Sequence, residues 1–406
     1  MSTPPSASTG LFRYSFGVTL ATLGLVCIGG LVTSKGVGMA VPDWPTSFGY
    51  NMFALPISTW RTGGIFDEHT HRIWASTVGL LVVFLTRWVG GAASRRILAW
   101  IGSTELAVGA GLLAFAGSNW KNEAQFLMGI SAVVLLAALT PWGRNQASST
   151  AVRMAWMAFW TVQVQGSLGG LRVVLDQWTV AGTTGGILFG VAHGCLGQLF
   201  FALLVCLTFR LAPVWESIRQ SDSDSYPRFL SRMACLLVLG QLLLGLLMRH
   251  QHAGLAIPDL PLAHGQVWPA TDAASLERYS ARRDGFEPIT PFQIHIHMFH
   301  RLNAILTLAA VVAVFVKTRS LPQEAAARKM ASVWFGLVCT QFTLGILTVL
   351  YDKPADIATA HVAVGSLSLS AGILTAWLCG RNSAVKSAEP LGKTSIPQMT
   401  TPAAVG

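Results

Sequence analysis

Apolar residues in this chain run in long blocks. They show neither the 3.6-residue stripe of a soluble amphipathic helix nor the alternation of a half-buried strand. A block of about 20 mostly apolar residues is long enough to cross a bilayer as a helix. Ten such helices are predicted, over 15–33, 70–90, 97–117, 125–142, 153–175, 185–209, 229–249, 293–316, 330–351 and 358–379. No A-x-A site follows the first block, so it reads as a retained helix rather than a removable leader. The Ser/Thr/Pro/Ala-rich segments 1–14 and 381–406 are expected to be disordered. The predicted fold class is therefore an all-α polytopic membrane protein.

Composition reinforces that reading. Of 406 residues, 52% are apolar and only 11% charged, against roughly 25% charged in ordinary soluble chains. So few charges cannot solvate a globule of this length, which excludes a soluble enzyme, a nucleic-acid binder and a disordered chain. The net charge of +10 has a topological origin: with the N-terminus inside, 17 of the 28 Lys and Arg residues fall in the short cytoplasmic segments. Both termini are then cytoplasmic, and the long loops 34–69 and 250–292 face outward. All six cysteines (Cys27, Cys195, Cys206, Cys235, Cys339 and Cys379) lie inside apolar blocks, so neither a disulfide framework nor a CxxC site is expected.

An internal repeat organises the chain. GMAVPDWPTSFG (38–49) recurs as GLAIPDLPLAHG (254–265) at an offset of 216 residues, and His71-Arg72 recurs as His300-Arg301 at 229. QGSLGGLRVVLD (165–176) recurs as QFTLGILTVLYD (341–352) at 176, and Ala192-His193 as Ala360-His361 at 168. The order is the same in both halves, which indicates duplication. From the His-Arg pair to the Gln, the first half spends 93 residues and the second 40; the surplus of 53 accommodates the predicted helices 97–117 and 125–142. The expected architecture is two pseudo-symmetric four-helix bundles in parallel orientation, 15–209 and 229–379, with an extra pair (about 97–145) inserted in the first.

Four of the ten histidines are repeat-matched: His71 and His193 in the first half, His300 and His361 in the second. An imidazole near hydrocarbon needs a partner, because an unsatisfied polar group there costs several kcal/mol. Two facing imidazoles in a helical bundle suit the axial positions of a haem iron, whereas zinc would want further N, S or O ligands. Interhelical hydrogen bonding between structural histidines is the plainer alternative. His250, His252 and His264 read as solvated loop residues. The glycines on the fifth and sixth predicted helices allow close helix approach or room for a flat macrocycle. Arg72 and Arg301 are candidate propionate contacts, with snorkelling to lipid headgroups as the rival. The halves differ at one telling place: three residues before His71 stands Glu68, and three before His300 stands His297. Positions i and i+3 share a helix face, so Glu68 is the candidate catalytic carboxylate, with a dipole-stabilised helix-end acid as the alternative. Glu105, inside the inserted pair, has no obvious partner.

Taken together, GGLVTSKGVGMAVPDWPTSFGY, EHTHR, QGSLGGLRV, AHGCLGQ, IPDLPLAHG, HMFHR and TAHVAVG resemble the haem A synthase (Cox15/CtaA) family over most of 16–379. The resemblance implies an oxidoreductase of the bacterial-type inner membrane that converts the C8 methyl of haem O to the formyl of haem A for cytochrome oxidase, with oxygen derived from water. It assigns His71 and His193 to the substrate haem, His300 and His361 to a haem b cofactor, and Glu68 to catalysis. Implied partners are haem O synthase and cytochrome oxidase assembly factors. The chain departs from the family in two ways: AVPDWPTSFG lacks the cysteine pair some members carry in the first external loop, and ten helices replace the usual eight. A bis-His two-haem cytochrome that only transfers electrons, and a haem chaperone or transporter, are the competing functions.

Overall fold

The computed structural model describes residues 9–115, 120–141, 147–180, 183–218, 225–281, 288–323 and 325–380. The segments expected to be disordered, 1–8 of the N-terminus and 381–406, lie outside the described residues. Among the described residues, the regular structure is almost all helix. Its ten α-helices are α1 (Thr9–Ser34), α2 (Ile65–Phe115), α3 (Lys121–Leu139), α4 (Ser149–Val174), α5 (Gly185–Leu211), α6 (Ser225–His250), α7 (Ala273–Ser280), α8 (Pro291–Thr318), α9 (Ala326–Leu350) and α10 (Ala355–Leu378). The two-residue strands β1 (Thr179–Val180) and β2 (Thr183–Thr184) pair antiparallel just before α5.

Among the described residues, eight helices are long and apolar enough to cross a membrane, and the chain is a multi-pass membrane protein. The correspondence with the ten predicted spans has three departures. Residues 9–14 join α1 because Tyr14 packs on Trp88 and donates from its hydroxyl to the Leu81 carbonyl at 3.0 Å. The predicted helices 70–90 and 97–117 are one continuous element, α2, of 51 residues. At 1.5 Å per residue it would run about 76 Å if straight, more than two bilayer cores. It turns instead at Gly91, whose φ of 58° and ψ of −138° suit glycine. The buried Arg87 side chain ties down this corner, donating to the carbonyls of Gly91 (3.1 Å) and Thr140 (2.6 Å). Finally, α4 forms as expected but, with Arg153, Gln163, Gln165 and Arg172 along it, is not among the eight apolar spans.

Packing falls into two closed rings of neighbours. In the first, α1 contacts α2 and α5, while α4 contacts α2 and α5; in the second, α6 contacts α8 and α10, while α9 contacts α8 and α10. The rings meet where α1 and α5 touch α10 and α5 touches α6. The α2–α3 hairpin continues outward from the first ring. A buried apolar core fills each ring: Val82, Leu85, Phe159, Leu204 and Leu207 in one, and Val238, Val311, Trp334 and Leu369 in the other. Gln198 of α5 accepts a hydrogen bond from Ser366 of α10 across the junction. All six cysteines are unpaired.

Two long loops, residues 35–64 and 251–290, sit at the same end of the assembly: Arg249, closing α6, donates to the Gly30 carbonyl and the Ser34 hydroxyl at the end of α1. Each loop has a small core of its own, Val41, Leu55 and Ile65 in the first and Ile257, Tyr279 and Ile289 in the second. The second loop also carries α7, whose N-terminus is capped by the Asp272 carboxylate accepting from the Ser275 amide at 3.0 Å.

Candidate functional site

The two loops are built by the same chemistry at the same repeat positions. Asp43 accepts from the amides of Phe48 (2.6 Å) and Gly49 (2.9 Å); Asp259 accepts from those of His264 (2.7 Å) and Gly265 (2.9 Å). These bonds hold Phe48 and His264 in the left-handed region, at φ of 53° and 49°. Burial alone would raise the Asp43 carboxyl, but hydrogen bonds from Thr46, Gly49 and Phe48 and the charge of Arg72 bring it below its ordinary value. Asp259 is lowered in the same way, burial being outweighed by the Gly265 and His264 amides.

Arg72 and Arg301 complete the loops. Arg72 donates to the carbonyls of Val41 (2.8 Å), Asp43 (2.6 Å) and Thr46 (3.2 Å). Arg301 donates to Ile257 (3.1 Å), Asp259 (2.9 Å) and Leu262 (3.1 Å), again one repeat offset away. Both residues thus anchor their loops through the terminal nitrogens: a guanidinium has five donors in a fixed fork, and here the loop carbonyls converge on it.

The four matched histidines come together in two pairs. His71 of α2 faces His193 of α5 with ring centroids 6.5 Å apart. An imidazole nitrogen sits about 2 Å from a bound first-row metal, with the ring centroid about 1 Å beyond, so two imidazoles sharing one metal stand about 6 Å apart. The observed spacing fits. His300 of α8 and His361 of α10 lie within electrostatic reach of each other. Among the described residues, no three His, Cys, Asp or Glu side chains converge as a bare-metal cage.

Second contacts orient the rings. A glycine on a neighbouring helix lies beneath each imidazole: a Cβ built on Gly29, Gly169, Gly245 or Gly345 would stand 2.9, 3.1, 3.2 or 3.2 Å from Cε1 of His71, His193, His300 or His361. His193 Nδ1 lies 3.1 Å from the Gln165 carbonyl, and the Gln165 amide donates to the His193 carbonyl at 2.8 Å. A carbonyl only accepts, so Nδ1 carries the proton and Nε2 keeps its lone pair for a metal. Nδ1 of His71, His300 and His361 is buried with no hydrogen-bond partner. In the second half, the side-chain nitrogens of Gln241 and Gln341 stand 3.0 and 3.2 Å from Nε2 of His300 and His361.

Glu68 is buried at the start of α2. Its Oε1 pairs with Arg72 at 2.7 Å, and its Oε2 accepts from the Val41 amide at 2.9 Å. It therefore fastens the first loop as well as standing one turn from His71. Its counterpart His297 is also buried, with Nδ1 unpartnered.

Several histidines that sequence reasoning left in solvent or without a role are structural. His69 is fully buried, edge-on to Trp60 at 4.6 Å, and His264 stacks on Tyr279 at 3.8 Å. His250 packs over Gly190, where an added Cβ would be 2.5 Å from its Cε1. The glycines of α4 and α5 receive particular side chains: Gly170 takes Trp44, Gly194 takes Leu246 and Gly197 takes Gln165, while Gly166 faces open space. Glu105 is half-buried, and its Oε2 has no hydrogen-bond partner. Sequence reasoning missed Arg172. Its signal was that the repeat places Arg172 opposite Thr348, a cation in one half only.

Comparison with known proteins adds to this geometry. Residues 126–373 match the COX15-CtaA family, described as cytochrome oxidase assembly proteins. A heme A synthase from Bradyrhizobium diazoefficiens is 30% identical over 301 residues, covering 69% of this chain and 75% of the relative. One from Rhodopseudomonas palustris (strain BisA53) is 28% identical over 281 residues, 66% of this chain and 72% of the relative. A third, from Caulobacter sp. (strain K31), is 29% identical over 224 residues, and there the match spans 54% of this chain but only 62% of the relative, under two thirds of its length.

Proposed function

The chain belongs to the COX15-CtaA family of cytochrome oxidase assembly proteins, and from that premise we propose that it is a haem A synthase, a membrane oxidoreductase converting haem O to haem A. The observation that carries the proposal is the 6.5 Å separation of the His71 and His193 rings, which suits one porphyrin iron. In this reading those two residues bind haem O in the first half, and His300 and His361 hold a haem b in the second. Bound there, the iron porphyrin would supply the redox chemistry: turning its C8 methyl into a formyl group with oxygen from water releases four electrons and four protons, and the electrons would leave through the second-half haem to an external acceptor.

The protein's part is to seat and polarise. The Gln165 carbonyl fixes the His193 tautomer, and Gly29 and Gly169 let both rings approach. Glu68 places a carboxylate one turn from His71, clamped by Arg72 and Val41 so that it need not reorganise as positive charge develops. The second half has His297 there instead, which favours electron transfer for that site. The repeated loop geometry and paired helix rings support a parallel duplication, 15–209 and 229–379, with the α2–α3 hairpin as the insertion. The distribution of Lys and Arg supports an inner-membrane placement with both termini cytoplasmic. Haem O synthase and oxidase assembly factors are the fitting partners.

The test is expression of the whole chain in a host that makes haem O but not haem A, followed by extraction and chromatography of the haems. Haem A, or a hydroxylated precursor, supports the enzyme. Haem O unchanged alongside bound haem b would assign the protein to electron transfer alone.

A further inference from the structure

Arg72 and Arg301 direct their terminal nitrogens at loop carbonyls, so a second cation near the first-half pair is better placed for the carboxylate edge of a porphyrin between His71 and His193. Arg172 is placed for it. It stands three residues after Gly169, the glycine beneath His193. That is one turn, about 4.5 Å, toward the loop end of α4 and on the same face. His250 occupies the same level from the other side: it packs over Gly190, one turn before His193 on α5. A porphyrin ligated from two opposed helices stands with its plane along the helix axes, so one edge points to this level.

The surroundings are built for an anion. Arg172 lines a cavity of about 330 Å³ with Met39, Asp176, Thr184, His250 and His252. It lies within electrostatic reach of both His71 and His193. Among the described residues, its guanidinium makes no hydrogen bond or salt bridge. Two acids lie within electrostatic reach of Arg172, neither of them hydrogen-bonded to it: Glu68 is paired with Arg72, and the Asp176 carboxylate packs on Gly186 in the first turn of α5, where the helix dipole favours it. Arg249, also within electrostatic reach of Arg172, adds positive charge while bonding only to uncharged oxygens of α1. The equivalent of Arg172 in the second half is Thr348, so this cation belongs to the first site alone.

We propose that Arg172 receives a propionate carboxylate of the porphyrin held by His71 and His193, with His250 lining the same subsite from the other half of the molecule. The proposal rests on the haem-binding reading above and adds an anchor that fixes which way round the porphyrin enters, and hence which ring edge meets Glu68. Arginine suits the task because its fork pairs bidentately with a carboxylate.

The test uses full-length protein in detergent carrying His300→Ala, which silences the second-half low-spin signal, titrated with iron protoporphyrin IX and with its dimethyl ester. The free acid should bind about tenfold or more tighter than the ester, a difference of about 1.4 kcal/mol or more. Arg172→Gln should bring the two to near parity with the low-spin Soret spectrum preserved, and Arg172→Lys should retain part of the preference. Folding of each variant is read from the second-half signal in the chain with His300 intact; if Arg172→Gln does not fold, the parent protein and Arg172→Lys decide. Full acid preference in Arg172→Gln or Arg172→Lys, or no preference in the parent, overturns the anchor and leaves the haem reading standing. A parent protein with no low-spin signal from either porphyrin, or one whose signal survives His71→Ala, overturns both.

Discussion

Glu68 and Arg72 form a buried 2.7 Å ion pair one helical turn apart, whereas Arg301, at the matching place in the second half, has His297 in front of it and only loop carbonyls to hold. Removing one member of a buried pair leaves an uncompensated charge, at a cost of about 3–5 kcal/mol. Arg72→Met is therefore expected to lower the melting temperature more than Arg301→Met, which loses hydrogen bonds of a charged donor worth about 1.5–3 kcal/mol each but orphans no carboxylate. Thermal unfolding of the two variants side by side measures this. Equal shifts would show that the Glu68–Arg72 pair adds nothing beyond the loop contacts.

Chemistry and structure at Glu68 can be separated. Glu68→Ala should abolish haem A formation while the second-half haem stays bound, read by pyridine haemochrome spectra of the purified protein. Glu68→Gln keeps one oxygen that can accept from the Val41 amide but loses the charge that pairs with Arg72, so it should recover loop order only in part, seen as resistance to proteolysis across 38–49, without recovering turnover. Haem A made by either variant at parental rates would remove Glu68 from the reaction.

The glycines beneath the imidazoles give a local test. A Cβ at Gly169 would meet His193 at 3.1 Å, and at Gly345 would meet His361 at 3.2 Å, whereas Gly166 faces open space. Gly169→Ala and Gly345→Ala should each disturb the low-spin spectrum of their own half only, because the ring must give by a few tenths of an ångström. Gly166→Ala should leave both spectra unchanged.

The loops carry a pH dependence whose sign is fixed by Asp43 and Asp259. Both carboxyls are held below their ordinary values in the folded protein, against about 3.9 in an unfolded chain. The stability they contribute is fully present above that unfolded value and is lost as pH falls through the lowered folded values. Hydrogen exchange at the Phe48, Gly49, His264 and Gly265 amides should accelerate only below about pH 4, and Asp43→Asn should flatten the profile for the first loop. Acceleration near neutral pH would contradict the assignment.

Gly91→Ala is expected to destabilise the α2–α3 hairpin. Its φ of 58° with ψ of −138° is a region L-residues enter at a cost of about 1–3 kcal/mol. Differential scanning calorimetry would register the loss, and a melting temperature unchanged from the parent would mean that the corner relaxes freely.

Much of this was legible from the chain because bilayer thickness constrains helix length so tightly. The blocks around 15–33 and 358–379 leave little freedom, and the spaced repeats tied His71 to His300 and His193 to His361 before any coordinates. What escaped depended on contacts between segments far apart in sequence. The separate helices expected over 70–90 and 97–117 are joined, because the Arg87 side chain ties down the corner at Gly91 and lets helical backbone pass it. Arg72 and Arg301 stand out in the sequence, but their loop acceptors do not, since sequence shows a guanidinium's reach and not which carbonyls converge on it. His250 looked like a solvated loop residue because nothing local reveals that Gly190 of another helix lies beneath it.

The hydrogen bond between Gln198 and Ser366 joins two residues that occupy the same repeat position, each five places past its repeat-matched histidine. A contact of that kind is common property: a substitution on either side is felt by both helix rings at once. In the proposed reading the two halves differ away from it, at Glu68 against His297 and at Arg172 against Thr348.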